Sequence, residues 1–270
     1  MFVTFLSDFG LTDDFVGVCH GVIKRIAPEV EIIDITHGIP AQHILQGALV
    51  LANTVPYMPE GVHLAVVDPG VGTDRRPVVL RDRVGRSYVG PDNGLLVPAA
   101  DACGGVAEAY ELTNREYALP WVSRTFHGRD VFAPAAAHLA LGVEPSAFGP
   151  PVSPGDLVRL DVPEPDIDEQ GRITATVLYV DSFGNVQLNL TERDLERVGI
   201  EPETKIELVL GPDRYYATAA RTFSDARPGD LILYSDAYHN VSIAISGGDA
   251  VALLGSTPGE RVRILHRPAE

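Results

Sequence analysis

The chain is poor in cysteine, with only Cys19 and Cys103 among its 270 residues. Two thiols with no partner motif make neither a disulfide framework nor a metal-ligand spacing. Cys19 sits in a helix-like run and reads as a core thiol. Basic residues are scarce as well: 21 Lys and Arg face 37 Asp and Glu, for a formal net charge of -16 and a pI of about 4.8. Phosphate backbones need a basic face, so this balance argues against nucleic acid as a partner. The acid excess reads first as a device for solubility, and it is also compatible with a cationic small ligand. No apolar run approaches the roughly 18 residues of a membrane span. The N-terminal MFVTFLSDFG carries no basic n-region. No membrane or signal segment is therefore expected, and the expected location is cytoplasmic.

Several familiar motifs are missing too. There is no Gly-x-Gly-x-x-Gly after the first strand and no P-loop. There is no Gly-x-Ser-x-Gly elbow. The histidines lack His-Glu-x-x-His spacing, and no Cys/His set is present. Asp8, Asp13 and Asp14 suggest a Mg²⁺ site, but Asp13 and Asp14 read more simply as acids in the first turn of a helix. No metal site is expected. No internal repeat or low-complexity tract is visible.

What remains is a globular pattern. The chain is 45% hydrophobic, enough for a large core in one or two domains. Apolar strand-like runs at residues 2–6, 30–35 and 62–67 alternate with helical periodicity at 15–27 and 44–55, the latter stopped by Pro56. That alternation predicts a parallel sheet with right-handed crossovers. Short strands are expected at 78–80, 86–89 and 107–112, then a helix over VFAPAAAHLALG. Proline, glycine and acids crowd the next stretch. Beyond it, short runs from ITATVLYV through AVALLG to RVRILH read as closely spaced strands. The expected architecture is an α/β N-terminal domain over 1–153 with a mixed, mostly parallel central sheet. A linker over 154–170 and an all-β C-terminal barrel over 171–270 follow.

Chemistry concentrates where strands end. The run VVDPGVGTDRRP carries an apolar strand into Asp68, then a glycine turn, then Arg75. Ligands of open α/β sheets sit outside the carboxyl ends of strands. Asp8 ends the first strand, and TFHGRD brings His127 with Arg129 and Asp130 before a helix. A carboxylate can orient an imidazole or accept from water, and an arginine fixes the geometry. Asp74 and Arg76 read as solvated neighbours. DSFGN offers Asp181, an aromatic face and an amide within five residues, suited to an amine and a flat heterocycle. Taken singly, Asp68 reads more readily as a capped turn and His127 as a structural histidine, and Asp181 reads as part of an ordinary β-turn. Only convergence in space distinguishes these readings.

Six motifs occur in order: SDFG, DITH at residues 34–37, VVDPGVGT with Arg75, GPDNG, TFHGRD and DSFGN. Through them the chain resembles, over nearly its whole length, the S-adenosyl-L-methionine (SAM) hydroxide adenosyltransferases, or SAM hydrolases, relatives of fluorinase and chlorinase. The resemblance implies a seven-stranded mixed-sheet domain joined to a β-barrel. It also implies a homotrimer whose active sites lie between one subunit's N-terminal domain and a neighbour's C-terminal domain. The implied reaction is attack of water-derived hydroxide on C5′ of SAM, giving adenosine and L-methionine, with SAM as substrate and no cofactor. Asp68, Arg75 and His127 match the water-activating set and Asp8 the ribose-diol acid. Asp181 matches the acid that meets the methionine amine, and Phe183 and Asn185 match adenine contacts. Phe223 and Tyr234 are placed with the substrate-binding residues.

The halogenating relatives carry Tyr and Thr where this chain has Asp68 and Val71, and an anionic carboxylate repels a halide. They also carry an insertion near the third strand that is missing here. Departures from the family pattern occur at Asp236 and Ala237, where Asn and Ser are usual, and at Asp249, where Asn is usual. These leave a non-catalytic SAM or adenosine sensor as the alternative, with a halogenase behind it. A methyltransferase is disfavoured because the glycine-rich first loop is missing.

Overall fold

In the computed structural model, which describes residues 1–266, FVTFLS forms strand β1 (Phe2–Ser7), and every residue from Val3 to Ser7 is buried. Burial on both faces marks a central strand of an α/β sheet. After β1 come α1 (Phe15–Ile26), β2 (Glu31–Thr36), α2 (Ile44–Thr54) and β3 (Gly61–Val66). β1 pairs in parallel with both β2 and β3. Then β4 (Pro77–Asp82), β5 (Ser87–Pro91), α3 (Val97–Ala102), β6 (Val106–Glu111) and α4 (Ala133–Ala140) complete the first unit, Met1–Leu160. The strand order is β2-β1-β3-β5-β4-β6. β3–β5 is parallel, whereas β5–β4 and β4–β6 are antiparallel, so the sheet is mixed.

Six strands form where the resemblance implies seven. The segment around Pro151 makes one antiparallel bridge to Tyr110, with Glu111 N–H on Pro150 O (3.0 Å) and Val152 N–H on Ala109 O (2.8 Å). Pro151 has no N–H to continue the ladder.

Period-two alternation divides the strand side chains between two cores. Val3, Phe5, Leu64 and Val66 pack with Cys19 and Ile23 of α1 and Ala133 and Ala136 of α4. Leu6, Ala65, Val67 and Tyr88 pack with Ala48 and Leu51 of α2 and Ala99 of α3. Cys19 is fully buried, and burial pushes its thiol up to about 12, as suits a core thiol.

Local details differ from expectation. Asp13 and Asp14 precede α1 rather than entering its first turn, and Asp14 makes no side-chain cap bond. α2 ends at Thr54, and Pro56 sits in a following 3-10 turn, Val55–Tyr57. The expected helix from Val131 is a π turn, Gly128–Phe132, running into α4. Much of the expected linker is structured. Pro154–Asp156 forms a 3-10 turn of the first unit, and Val158 N–H donates to Asp92 Oδ1 (2.9 Å).

The second unit begins at Asp161. It contains β7 (Asp166–Ile167), β8 (Ile173–Val180), β9 (Val186–Thr191), α5 (Glu192–Arg197), β10 (Lys205–Leu210) and β11 (Asp213–Ala220). β12 (Leu231–Ser235), β13 (Asn240–Ile245), α6 (Ala250–Leu254) and β14 (Arg261–His266) complete it. The order β14-β10-β11-β12-β13-β9-β8 closes through β14–β8, giving a seven-stranded barrel with β7 added outside β8. Alternate residues point inward: Ile173, Ala175 and Val177 on β8, and Val186, Leu188 and Leu190 on β9. AVALLG is a helix, not the expected strand. Asp249 accepts from Ala252 N–H (3.0 Å) as its N-cap, and Gly255 ends it at a left-handed φ of 62°. Among the described residues no helix is long and apolar enough to cross a membrane.

Candidate active site

The carboxyl ends of β1 and β3 lie side by side, so Asp8 and Asp68 leave the sheet together; Asp8 N–H donates to Val66 O (3.3 Å). After Asp68 the chain turns sharply. Val71 N–H reaches Asp68 O (3.3 Å), and the Thr73 hydroxyl reaches Gly70 O (2.7 Å). Gly72 takes φ 78°, and a Cβ there would stand 2.4 Å from Arg124 O. Only glycine lets this turn lie against the segment that leads into His127.

The turn returns Arg75 onto Asp68. Its Nε donates to Oδ1 (3.1 Å) and its Nη2 to Oδ2 (2.5 Å), with both side chains almost fully buried. The same Nη2 lies 3.2 Å from His127 Nδ1. The guanidinium also stands 5.3 Å from the Phe132 ring centroid, so the two ends of the π turn hold it. A guanidinium only donates, so Nδ1 of His127 is the acceptor and the proton of the neutral ring is on Nε2. Burial, then the charge of Arg75, pushes the His127 pKa below its usual value, which keeps the ring neutral. Burial raises the Asp68 carboxyl despite opposition from the charge and hydrogen bonds of Arg75, and nearby Asp8 adds to the rise.

Asp8 Oδ2 accepts from Gln42 N–H (2.8 Å), leaving Oδ1 uncommitted by that bond. Gln42 adopts φ 67°, a strained conformation that aims this N–H. A cleft of about 270 Å³ is lined by Asp8, Gln42, Asp68, Val71 and His127, among others. Four predicted residues, Asp8, Asp68, Arg75 and His127, therefore converge within the first unit.

Their sequence neighbours serve the frame instead. Arg129 pairs with fully buried Asp130 (2.6 Å), whose Oδ2 accepts from Ser123 N–H (2.8 Å). Arg76 is not a solvated neighbour: it donates to buried Asp92 (2.6 and 3.0 Å) and to Asp156 O (2.6 Å). Asn93 Nδ2 donates to Val67 O (2.8 Å), so GPDNG braces the strand end before Asp68. Sequence motifs do not reveal Gln42 and Phe132, because their contributions, a backbone N–H and a ring face, have no motif of their own.

In the second unit, Asp181 Oδ1 accepts from Phe183 N–H (2.8 Å) and Asn185 N–H (2.9 Å), and Oδ2 from Asn185 Nδ2 (2.8 Å). Gly184 closes the turn at φ 78°, while Phe183 projects into solvent, 78% exposed. The same five-residue hairpin, with Asp accepting from residues two and four ahead, recurs at Asp82, Asp168 and Asp236. Asp236 thus uses its side-chain oxygen as an asparagine would, and so does the N-cap Asp249. That explains both Asn-to-Asp departures; the structure gives no reason for Ala237. Phe223 and Tyr234 pack together with ring centroids 4.9 Å apart. Burial, then the charges of Asp181 and Asp236, pushes the Tyr234 hydroxyl up to about 12.

A mixed α/β unit with a buried acid-arginine-histidine set at its strand ends, followed by a closed barrel, defines a narrow class of two-domain proteins. Residues 3–149 match the SAM hydroxide adenosyltransferase N-terminal domain and residues 175–263 its C-terminal domain. The chain belongs to that family. It is 49% identical, over 97% of both chains, to a Salinispora tropica protein named (R)-S-adenosyl-L-methionine hydrolase. It is 30% identical, over 90% of both, to an Actinoplanes protein named fluorinase. A crystal structure of an uncharacterized conserved protein from Thermotoga maritima superimposes with a TM-score of 0.90 at 35% identity, covering 97% of this chain and 99% of that one.

Proposed function

We propose that this protein hydrolyses S-adenosyl-L-methionine to adenosine and L-methionine, by in-line attack of an activated water on C5′. The observation that carries the reading is the meeting of Asp68, Arg75 and His127 beside Asp8 in one cleft. Each Asp68 oxygen accepts one bond from Arg75 and keeps a lone pair. A water can donate to Asp68 and accept from the Nε2–H of His127, which leaves its remaining lone pair for carbon. Arg75 stops Asp68 from rotating, and the raised pKa makes Asp68 a better proton acceptor.

The C5′–S bond breaks as the O–C5′ bond forms. The sulfonium takes the electron pair and leaves as a neutral thioether, so no general acid is needed. The water's proton passes to Asp68 and then to solvent. Unaided water has a pKa of about 15.7, so holding it in line is the main task, and positioning alone can supply roughly 7–11 kcal/mol. Asp8 accepts the ribose hydroxyls through its available lone pairs. Asp181, Phe183, Asn185, Phe223 and Tyr234 take the methionine amine and adenine, as family resemblance implies. The step as written uses no cofactor. The reading includes a homotrimer in the cytoplasm, and the R configuration at sulfur named for the Salinispora relative.

The test is incubation with each sulfur epimer of SAM in ¹⁸O-water, followed by mass spectrometry. Adenosine labelled at the 5′ oxygen, with unlabelled methionine, is expected. Halide-dependent formation of 5′-haloadenosine, or tight binding without turnover, would overturn the hydrolase reading. Light scattering tests the trimer against the 29.0 kDa chain.

A further inference from the structure

Three side chains outside the cleft converge in the first unit. His20 Nε2 of α1 lies 2.9 Å from Asp34 Oδ1 of β2, and His37 Nε2 lies 3.0 Å from the same oxygen. All three donor atoms fall within 4.8 Å of one another. We propose that His20, Asp34 and His37 form a binding site for a divalent transition-metal ion of the zinc type.

The second observation is His37 itself. Its side chain is 2% exposed, and Nε2 is buried without a hydrogen-bond partner, because its approach to Asp34 lacks hydrogen-bond direction. A buried unpartnered ring nitrogen is costly unless something occupies its lone pair. The other nitrogen, Nδ1, stands 2.7 Å from Ser7 Oγ. With Nδ1–H donating to Ser7, Nε2 is the bare ligand atom, which is the second-contact arrangement usual for metal-bound histidine.

The spacing also suits an ion. Metal–ligand bonds of about 2.1 Å in a tetrahedral shell separate adjacent donors by about 3.4 Å, so a few tenths of an ångström of movement by the exposed Asp34 carboxylate, now 2.9 and 3.0 Å from the two rings, admits the ion. Two imidazoles and one carboxylate suit zinc-type ions rather than Mg²⁺ or Ca²⁺. Phe5 lies against both rings, at 4.7 Å from His37 and 6.0 Å from His20, and limits their rotation. Asp34 and His20 are 42% and 31% exposed, which gives the ion an entry path. An ion there would tie α1 to the end of β2, and through Ser7 to the residue before Asp8. It would sit outside the proposed reaction and lend rigidity to the Asp8 loop, where Gly10 N–H binds His37 O (2.8 Å).

The test is calorimetric titration of the full chain, untagged and chelator-stripped, with Zn²⁺, and with Co²⁺ followed by its visible absorption. A single equivalent is expected, with a gain in melting temperature. His20→Ala and Asp34→Asn, at a half-buried and an exposed position, should each weaken binding more than about tenfold with unchanged circular dichroism. His239→Ala, which alters an exposed histidine paired with Glu192, should bind as the parent does. Dissociation constants above about 0.1 mM for the parent, or affinity undiminished in His20→Ala and Asp34→Asn, would overturn the proposal.

Discussion

Two aspartates end apolar strands in this molecule and meet opposite fates. Asp181 gives both carboxylate oxygens to its own hairpin, as Asp168 does, while Asp82 and Asp236 give one oxygen to theirs. Asp68 receives no backbone N–H within its turn, and its oxygens go to Arg75, seven residues away. The difference lies in the residues after the acid. The hairpins place the left-handed residue three positions after the acid, which folds the chain back over the carboxylate. After Asp68, proline lacks an N–H, and the left-handed residue is Gly72, four positions on. Local backbone therefore satisfies one acid and leaves the other for chemistry.

The largest test of that contrast is Asp68→Asn, which keeps the shape and removes the base. Its kcat should fall by about 10²–10⁴ with SAM binding retained, measured by adenosine release and calorimetry. Asp181→Asn should act mainly on KM, because it keeps the acceptor for the two backbone N–H groups and loses only the acceptor for Asn185 Nδ2; an equal loss in kcat would break the contrast. Arg75→Lys removes the two-pronged grip and the shared bond to His127. About 1.5–3 kcal/mol of stability should be lost in urea unfolding, with a lower kcat. Asp236→Ala deprives two backbone N–H groups of an acceptor and should cost about 1–2 kcal/mol, read as a shifted urea midpoint at constant m, with kcat unchanged.

The smallest expected effect is in pH dependence. Neutral His127 accepts from Arg75, so protonating it breaks that bond. Its pKa is pushed below the ordinary 6.5, so activity should persist as pH falls past 6.5 and decline below it. Removing the arginine's charge lifts one depressing influence on His127, so Arg75→Gln should move this acid limb upward. A limb that stays at the ordinary histidine value in both proteins would remove His127 from the acid profile.

Much of the fold is legible in the chain. Alternating apolar runs mark β1, β2 and β3, because a doubly buried strand needs little context. AVALLG reads as a strand and folds as a helix, because a short apolar run is ambiguous between the two; the Asp249 cap and left-handed Gly255 decide for helix. Asp8, Asp68, Arg75 and His127 are legible as an ordered motif set, although none stands above its structural alternative alone. Arg76 reads as solvated because its partner, Asp92, is a loop residue sixteen positions on.

The sequence by itself determined the periodicity, the two-unit order and the residue types at strand ends, because these depend on near neighbours. Only the tertiary structure decided that His127, 52 residues on, closes onto the Arg75–Asp68 pair. It also decided the His127 tautomer and the meeting of His20 with the Asp34–His37 pair. These depend on distances of a few ångströms between residues far apart in sequence, and burial makes those distances matter by removing the water that would otherwise satisfy each group.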